Sequence, residues 1–224
     1  MNITYKQNLD SYNTKYKEGY GNKYPESRII RVFHRIIKHH ITKGKILDFR
    51  CGNGIHLKYF QELGFEPYGC DASVEAIKLA KKNMPNNQNH LFVSPYVPNL
   101  LSIFKTKFDL IMANYSLYYL NDEDMRDVIN QFHKLLKEDG LIFVSMMSKE
   151  CYYYDLYSHI KNGLYCVQFK GRVNVNLNVN MKSKEEMLNL FSKFTKLHIG
   201  RISYKIREDE GTTDHYLYIG KKVV

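Results

Sequence analysis

The sequence predicts an α/β protein: a doubly wound, mostly parallel sheet of seven strands with the last strand antiparallel. Three observations predict it. Short apolar runs alternate with amphipathic helical stretches through Met146, the pattern of strand–helix–strand units with right-handed crossovers. A glycine-containing turn, Arg50-Cys51-Gly52-Asn53-Gly54, divides the apolar run 46–49 from a helical stretch. The last two apolar runs, 196–206 and 216–221, are joined by a turn-rich loop and read as an antiparallel hairpin.

The elements follow in order. Residues 26–40 form a helix with Ile29, Ile30, Phe33, Ile36 and Ile37 inward and Arg28, Arg31, Arg35 and Lys38 on a solvated outer face. Residues 46–49 are strand one. Helix 55–63 stops at Gly64, a residue suited to a helix end. Strand two is 67–70. Helix 73–83 places Ala76, Ile77 and Ala80 on one face and lysines on the other, with Pro85 beyond its end. Strand three is 90–93 and a short helix covers 100–104. Residues 108–113 are apolar on both faces, as a central parallel strand requires. Helix 122–137 packs Met125, Val128, Ile129, Phe132, Leu135 and Leu136, and Asp139-Gly140 turns into strand five, 141–146.

Residues 151–179 have no helical period. Val173, Val175, Leu177 and Val179 alternate with Asn174, Asn176 and Asn178, which reads as one exposed strand. Ser183-Lys184-Glu185-Glu186 is a capping box opening a helix to residue 194.

A chain of 224 residues suffices for one large domain over 1–224. Residues 1–40 are expected to be a helical cover, and 151–182 an insertion over the substrate cleft. Tyrosines cluster in both segments, at Tyr5, Tyr12, Tyr16, Tyr20 and Tyr24 and at Tyr152, Tyr153, Tyr154 and Tyr157. A tyrosine packs its ring and leaves its hydroxyl wet, which suits a cleft cover or plain packing on the body. No run approaches a membrane span, and the first residues lack a secretion segment. The four cysteines show no paired spacing, so a reduced, cytoplasmic setting is expected. The formal charge of +10 suits nucleic acid or an anionic small substrate. The plain account of the helix 26–40 cations is solvation, which disfavours nucleic acid. Residues 207–215 read as a mobile acidic loop, and no metal is expected.

The chemistry concentrates at one sheet edge. Asp48 ends strand one, and the glycine turn follows. Asp71 lies nineteen residues after Gly52, at the end of strand two. An acid about 20 residues past a strand–turn–helix glycine loop is the layout of a nucleoside-binding half-domain. Asn114 ends strand four. If the last strand is antiparallel, His215 at its start joins the same edge.

Taken together, Asp48 to Gly54, Gly69-Cys70-Asp71-Ala72-Ser73, Phe108-Asp109-Leu110-Ile111 with Ser116 to Leu120, and Leu136 to Gly140 resemble class I S-adenosylmethionine-dependent methyltransferases of bacterial small-molecule type. The likeness covers about residues 10 to 222 and implies the Rossmann-like methyltransferase fold. It implies S-adenosyl-L-methionine as cofactor and S-adenosyl-L-homocysteine as product. Gly52, Asn53 and Gly54 would let the backbone touch the methionine part. Asp48 would anchor that loop or reach the cofactor ammonium, directly or through water. Asp71 would take the ribose hydroxyls, with Ala72 beside it. Backbone groups or Tyr96 would meet the adenine, where the family often has an acid. Asn114 would face the methionine end or the substrate. His215 is the candidate catalytic base, with a structural strand-end histidine as the equal alternative.

Arg50 stands where the family has its first glycine. It is expected to point along the cleft to an anionic substrate or to act as a damaging substitution. The expected acceptor is a small-molecule or sugar-linked group, methylated on a hydroxyl, amine or phosphoryl-type oxygen, as in surface-polysaccharide biosynthesis. The alternatives are an RNA- or protein-directed enzyme, and a non-catalytic partner disabled at Arg50. The Asn/Asp-Pro-Pro-Tyr motif of DNA adenine and glutamine methyltransferases is absent after strand four, where the chain reads Asn114-Tyr115-Ser116-Leu117.

Overall fold

The computed structural model describes residues 3–169 and 175–223. Within them the strands are β1 (Gly44–Phe49), β2 (Phe65–Asp71), β3 (Leu91–Val93), β4 (Phe108–Ala113), β5 (Leu136–Met147), β6 (Tyr157–Lys161), β7 (Leu164–Phe169), β8 (Val175–Val179), β9 (Thr195–Tyr204) and β10 (Thr213–Lys221). The helices are α1 (Ile3–Lys17), α2 (Ser27–Arg35), α3 (Ile55–Glu62), α4 (Val74–Asn83), α5 (Leu100–Ile103), α6 (Asp122–Leu135) and α7 (Lys184–Leu190).

Seven strands make the main sheet, in the order β3-β2-β1-β4-β5-β10-β9. β1 to β5 are mutually parallel. β10 runs antiparallel to both β5 and β9, so it alone points against the rest. Successive side chains alternate between two layers, as the strand period demands. Ile46, Leu110, Met112 and Phe143 pack with α2, α3 and α4 residues such as Ile29, Phe33, Leu57, Phe60 and Ile77. Leu47, Phe49, Ile111, Ala113 and Val144 pack on the other face with Phe132, Leu135 and Leu100. The chain winds outward from β1 through β2 to β3, then returns to place β4 on the other side of β1. Ligands of such sheets bind at that reversal, beyond the strand carboxyl ends. Asp48 and Asn114 flank it.

Capping fixes where the helices begin. Ser73 Oγ accepts the Ala76 N–H at 3.1 Å, and Asn121 Oδ1 accepts the Asp124 N–H at 2.9 Å. Ser183 and Glu186 form the full capping box at α7.

Several details differ from the sequence reading. The helix expected over 26–40 breaks after Arg35, and Ile37–His39 is a single 3₁₀ turn. α6 ends at Leu135, and α7 ends at Leu190 rather than at 194. β5 begins at Leu136 and absorbs the expected Asp139 turn as an irregularity, with Asp139 at φ 62°. The stretch 151–179 holds a second sheet, β6-β7-β8, all antiparallel. Its hairpin turns at Asn162-Gly163, both at positive φ (50° and 74°), the pairing favoured by primed two-residue turns. Asn178 and Val179 of β8 are buried, so that strand is not exposed. Val173 and Asn174 of the expected alternation lie outside the described residues.

Candidate functional site

A cavity of about 610 Å³ opens at the carboxyl edge of the sheet. β1 delivers Asp48, β2 delivers Asp71 and β4 leads into Asn114. His215 pairs with Met147 at the end of β5, so the antiparallel strand brings its own start to this edge. Asp48, Gly52, Asn53, Asp71, Ala72, Tyr96, Asn114 and His215 all line the cavity. Gly54 does not. A Cβ there would lie 3.1 Å from Ala80 Cβ, so this glycine serves the packing of α3 on α4 instead.

The Asp71 half is preorganised by backbone donors. Asp71 Oδ2 accepts the Gly52 N–H at 3.0 Å, and Oδ1 accepts the Ser73 N–H at 2.8 Å. Burial pushes its carboxyl above the usual range, against the Ser73 hydrogen bond and the Arg50 charge. Gly52 is left-handed (φ 55°), and a Cβ there would sit 2.5 Å from the Tyr16 hydroxyl. A side chain at this position would be strained and would press on Tyr16 of α1. Asn53 lies at the rim, its Nδ2 donating to the Asn22 carbonyl at 2.9 Å.

Asp48 is 2% exposed, and its Oδ2 has no hydrogen-bond partner. Burial, then the charges of Asp71 and Glu26, hold its carboxyl well above the usual range. His56 does not neutralise it. His56 Nε2 accepts the Glu26 N–H at 3.5 Å, and burial followed by the Arg28 charge lowers the imidazole to about 4. Its Nδ1 stands 4.0 Å from Asp48 Oδ2, beyond hydrogen-bond range. A buried carboxylate oxygen without a donor is costly, and a cationic ligand group would satisfy it.

Arg50 adopts the left-handed conformation that the family's glycine implies, at φ 61°. Its side chain turns toward β3 rather than along the cleft to an acceptor. Nη2 donates to the Tyr96 carbonyl at 2.6 Å, and the guanidinium lies over the Tyr96 ring, 4.1 Å from its centroid. The ring of Tyr5 from α1 stacks on Tyr96 at 4.6 Å and 21°. Both faces of Tyr96 are taken, so it cannot stack on an adenine.

The second half of the cavity was not read from the sequence. Arg28, grouped there with solvated cations, is 10% exposed at its side chain and faces inward; Arg31, Arg35 and Lys38 are exposed as expected. Arg28 Nε donates to Glu26 Oε2 at 2.5 Å, and Nη2 pairs with the same oxygen. Asn114 Nδ2 donates to that oxygen at 3.4 Å, while Asn114 Oδ1 accepts from Ser145 Oγ at 3.0 Å. The Arg28 guanidinium lies 3.6 Å from the centroid of the Tyr115 ring. The His215 ring lies 4.3 Å from the same centroid. His215 is 2% exposed with neither nitrogen partnered; burial, then Arg28, lowers it to about 3. It is a neutral imidazole in the cavity. Behind it, Asp214 accepts from Arg201 Nε at 2.7 Å and from the Ser148 and Ser203 hydroxyls, which pins the start of β10. Spacing could not have shown Arg28 turned inward, because its helix face is set by where α2 meets the sheet. The tyrosine clusters were the available signal: Tyr12, Tyr16, Tyr20, Tyr115, Tyr118, Tyr119, Tyr153 and Tyr204 all line the cavity.

Residues 21–194 match the family described as a methyltransferase domain. The chain belongs to that family, and its sheet is that of the class I S-adenosylmethionine-dependent methyltransferases. It is 32% identical over 105 residues to a ubiquinone biosynthesis O-methyltransferase of Pelagibacter ubique, covering 47% of this chain and 42% of that protein. It is 26% identical over 167 residues to a glycine/sarcosine N-methyltransferase of Aphanothece halophytica, covering 65% and 63%. The chain thus spans about half the length of the curated relatives it matches. Among solved structures, magnesium protoporphyrin IX methyltransferase from Synechocystis with bound S-adenosylhomocysteine superposes with a TM-score of 0.68, at 13% identity over 98% of this chain and 99% of that one. A methyltransferase from Methanosarcina mazei gives 0.66 at 18% identity, over 84% and 97%. These likenesses show the fold. Among the described residues, no three His, Cys, Asp or Glu side chains are placed to hold a metal, and no helix is long and apolar enough to cross a membrane.

Proposed function

We propose that this chain transfers a methyl group from S-adenosyl-L-methionine to a hydroxyl, amine or phosphoryl-type oxygen of a small, anionic or sugar-linked acceptor. The observation that carries the reading is the unpartnered Asp48 oxygen, buried at the chain reversal beside the glycine turn and Asp71. The donor set fits the cofactor. Asp48 would hold its ammonium, the Gly52 turn its methionine backbone, and Asp71 its ribose hydroxyls. When bound, the cofactor supplies a methyl on a positively charged sulfur that leaves as a neutral thioether, while the acceptor's proton passes to water or to His215.

Such a transfer is intrinsically downhill, so the protein has to align the partners and exclude water. Tyr12 and Tyr16 of α1 and Tyr20 just beyond it cover one side, and Tyr153 and Leu177 another. Neutral His215 accepts a hydrogen bond from the acceptor and orients it. The four free thiols, three of them buried, fit a reduced cytoplasmic setting.

Calorimetry with S-adenosylhomocysteine tests the reading. One molecule should bind per chain, and Asp71→Ala should weaken binding by about 1.5–3 kcal/mol, the scale for losing a charged hydrogen-bond partner. No binding by the natural chain, or an Asp71→Ala variant that binds equally well, would overturn it.

A further inference from the structure

The cavity has two halves with different chemistry. Asp48, Gly52 and Asp71 stand at β1 and β2. Tyr115, Tyr118, Tyr204 and His215 stand at the exit of β4 and on β9 and β10, across the reversal. Arg28 reaches from α2 to the border of the two halves: its charge is felt by Tyr204, Tyr118 and His215 in the second and by His56, beside Asp48, in the first.

The guanidinium there is held in one pose with one edge spent. An arginine has five N–H donors. Nε and Nη2 both go to the single oxygen Glu26 Oε2, which Asn114 also holds. The remaining donors have no protein hydrogen bond among the described residues. The plane is fixed by stacking on Tyr115 at 3.6 Å. A stacked, largely buried guanidinium with a free edge is the geometry that recognises a planar oxyanion, and a lysine could not copy it in full. The other arginine of the cavity, Arg50, keeps an unpartnered Nε but lies on the Tyr96 ring and donates to the Tyr96 carbonyl, on the β3 side and not beside His215. Beside Arg28, both nitrogens of His215 lack partners.

We propose that Arg28 grips a carboxylate or phosphoryl oxyanion of the methyl acceptor, and that the acceptor's hydroxyl or amine then lies against His215. The acceptor is accordingly a small acid with a second polar group on the far side of an apolar or aromatic body, which the tyrosines enclose. An anion on Arg28 also cancels the positive charge that disfavours a proton on His215, so acceptor binding and the histidine's basicity rise together. This inference rests on the methyltransferase reading for its geometry, and its test is separable from it.

The test uses the full chain saturated with S-adenosylhomocysteine. Small hydroxylated carboxylic acids are titrated by calorimetry against their neutral amides, and alkyl phosphates against the parent alcohols. At least one acid should bind ten times more tightly than its neutral partner. Arg28→Gln should erase that preference while leaving S-adenosylhomocysteine affinity within about twofold, and Arg28→Lys should keep part of it. Whether carboxylates or phosphates win identifies the oxyanion. Acids that bind no better than their neutral partners overturn the proposal. So does a tenfold loss of S-adenosylhomocysteine affinity in Arg28→Gln, since the guanidinium would then hold the cofactor's own carboxylate. If Arg28→Gln does not fold, Arg28→Lys carries the same comparison. If the natural chain binds no S-adenosylhomocysteine, the methyltransferase reading fails, while an acid preference lost on changing Arg28 still supports the grip.

Discussion

At the scale of single residues, Asp48 combines deep burial with an unused oxygen. In the free protein its carboxyl titrates well above the usual range. A bound ammonium favours the carboxylate and pulls that value down. S-adenosylhomocysteine binding above the ordinary carboxylate range should therefore release protons. Calorimetry in two buffers of different ionisation enthalpy would show it, and identical enthalpies would count against the contact. His215 carries the opposite sign. Its value falls from 6.5 to about 3 on folding, so above pH 6.5 it is neutral in both states and contributes nothing. Between pH 6.5 and 3 the unfolded chain binds the extra proton, and stability falls with pH by up to roughly 1.4 kcal/mol per unit. Urea unfolding at pH 6.5 and 4.5 should show the natural chain losing roughly 2 kcal/mol more than His215→Gln; equal losses would mean that the imidazole is not held neutral. Arg50→Gly relieves a left-handed residue but frees the unfolded chain and empties the Tyr96 stack. These terms are each about 1 kcal/mol and oppose one another. The expected result is a melting temperature moved by about 3 °C or less with S-adenosylhomocysteine affinity nearly unchanged. A large rise in both would show Arg50 to be a strained passenger.

At the scale of elements, the glycine turn after β1 lies beneath α1. Gly52→Ala must place its methyl against the Tyr16 hydroxyl and keep a positive φ. It should cost about 1–3 kcal/mol of stability and weaken S-adenosylhomocysteine binding about tenfold or more; a fully stable, tight-binding alanine variant would mean that Tyr16 does not sit on this loop. The elements up to β5 were legible because each joins a local signal to a period: the Ser73 cap with Ala76, Ile77 and Ala80, or Phe108 to Ala113 apolar on both faces. The sheet β6-β7-β8 was missed although Asn162-Gly163 announces its turn, because the β6 side chains are exposed throughout and carry no alternation. At the site, Asp48, Asp71 and Asn114 could be placed since strand ends fix them. Arg28 and Tyr115 could not, because their roles depend on how α2 and the β4 exit approach one another across the reversal.

At the scale of the whole molecule, α1 is fastened to distant parts of the chain. Tyr5 donates to Asp124 at 2.5 Å and accepts from the Asn121 N–H at 2.9 Å. Tyr12 and Tyr119 share a hydrogen bond of 2.5 Å. Asn8 donates to the Asn178 carbonyl at 3.0 Å and accepts the Asn178 N–H at 3.4 Å, across 170 positions of sequence. Buried contacts with such separation close the largest loops in the fold, and they form late.

The Asn8–Asn178 pairing therefore sets an order in time. Synthesis proceeds at roughly 5–20 residues per second, so α1 leaves the ribosome on the order of ten seconds before its partner strand exists. α1 exists before β8 does, and only when β8 arrives can Asn8 make its two hydrogen bonds to Asn178. Ribosome-arrested chains should show α1 open to protease when they stop before β8, and protected once β8 has emerged. Protection at the shorter length would mean that the helix finds its seat without Asn178.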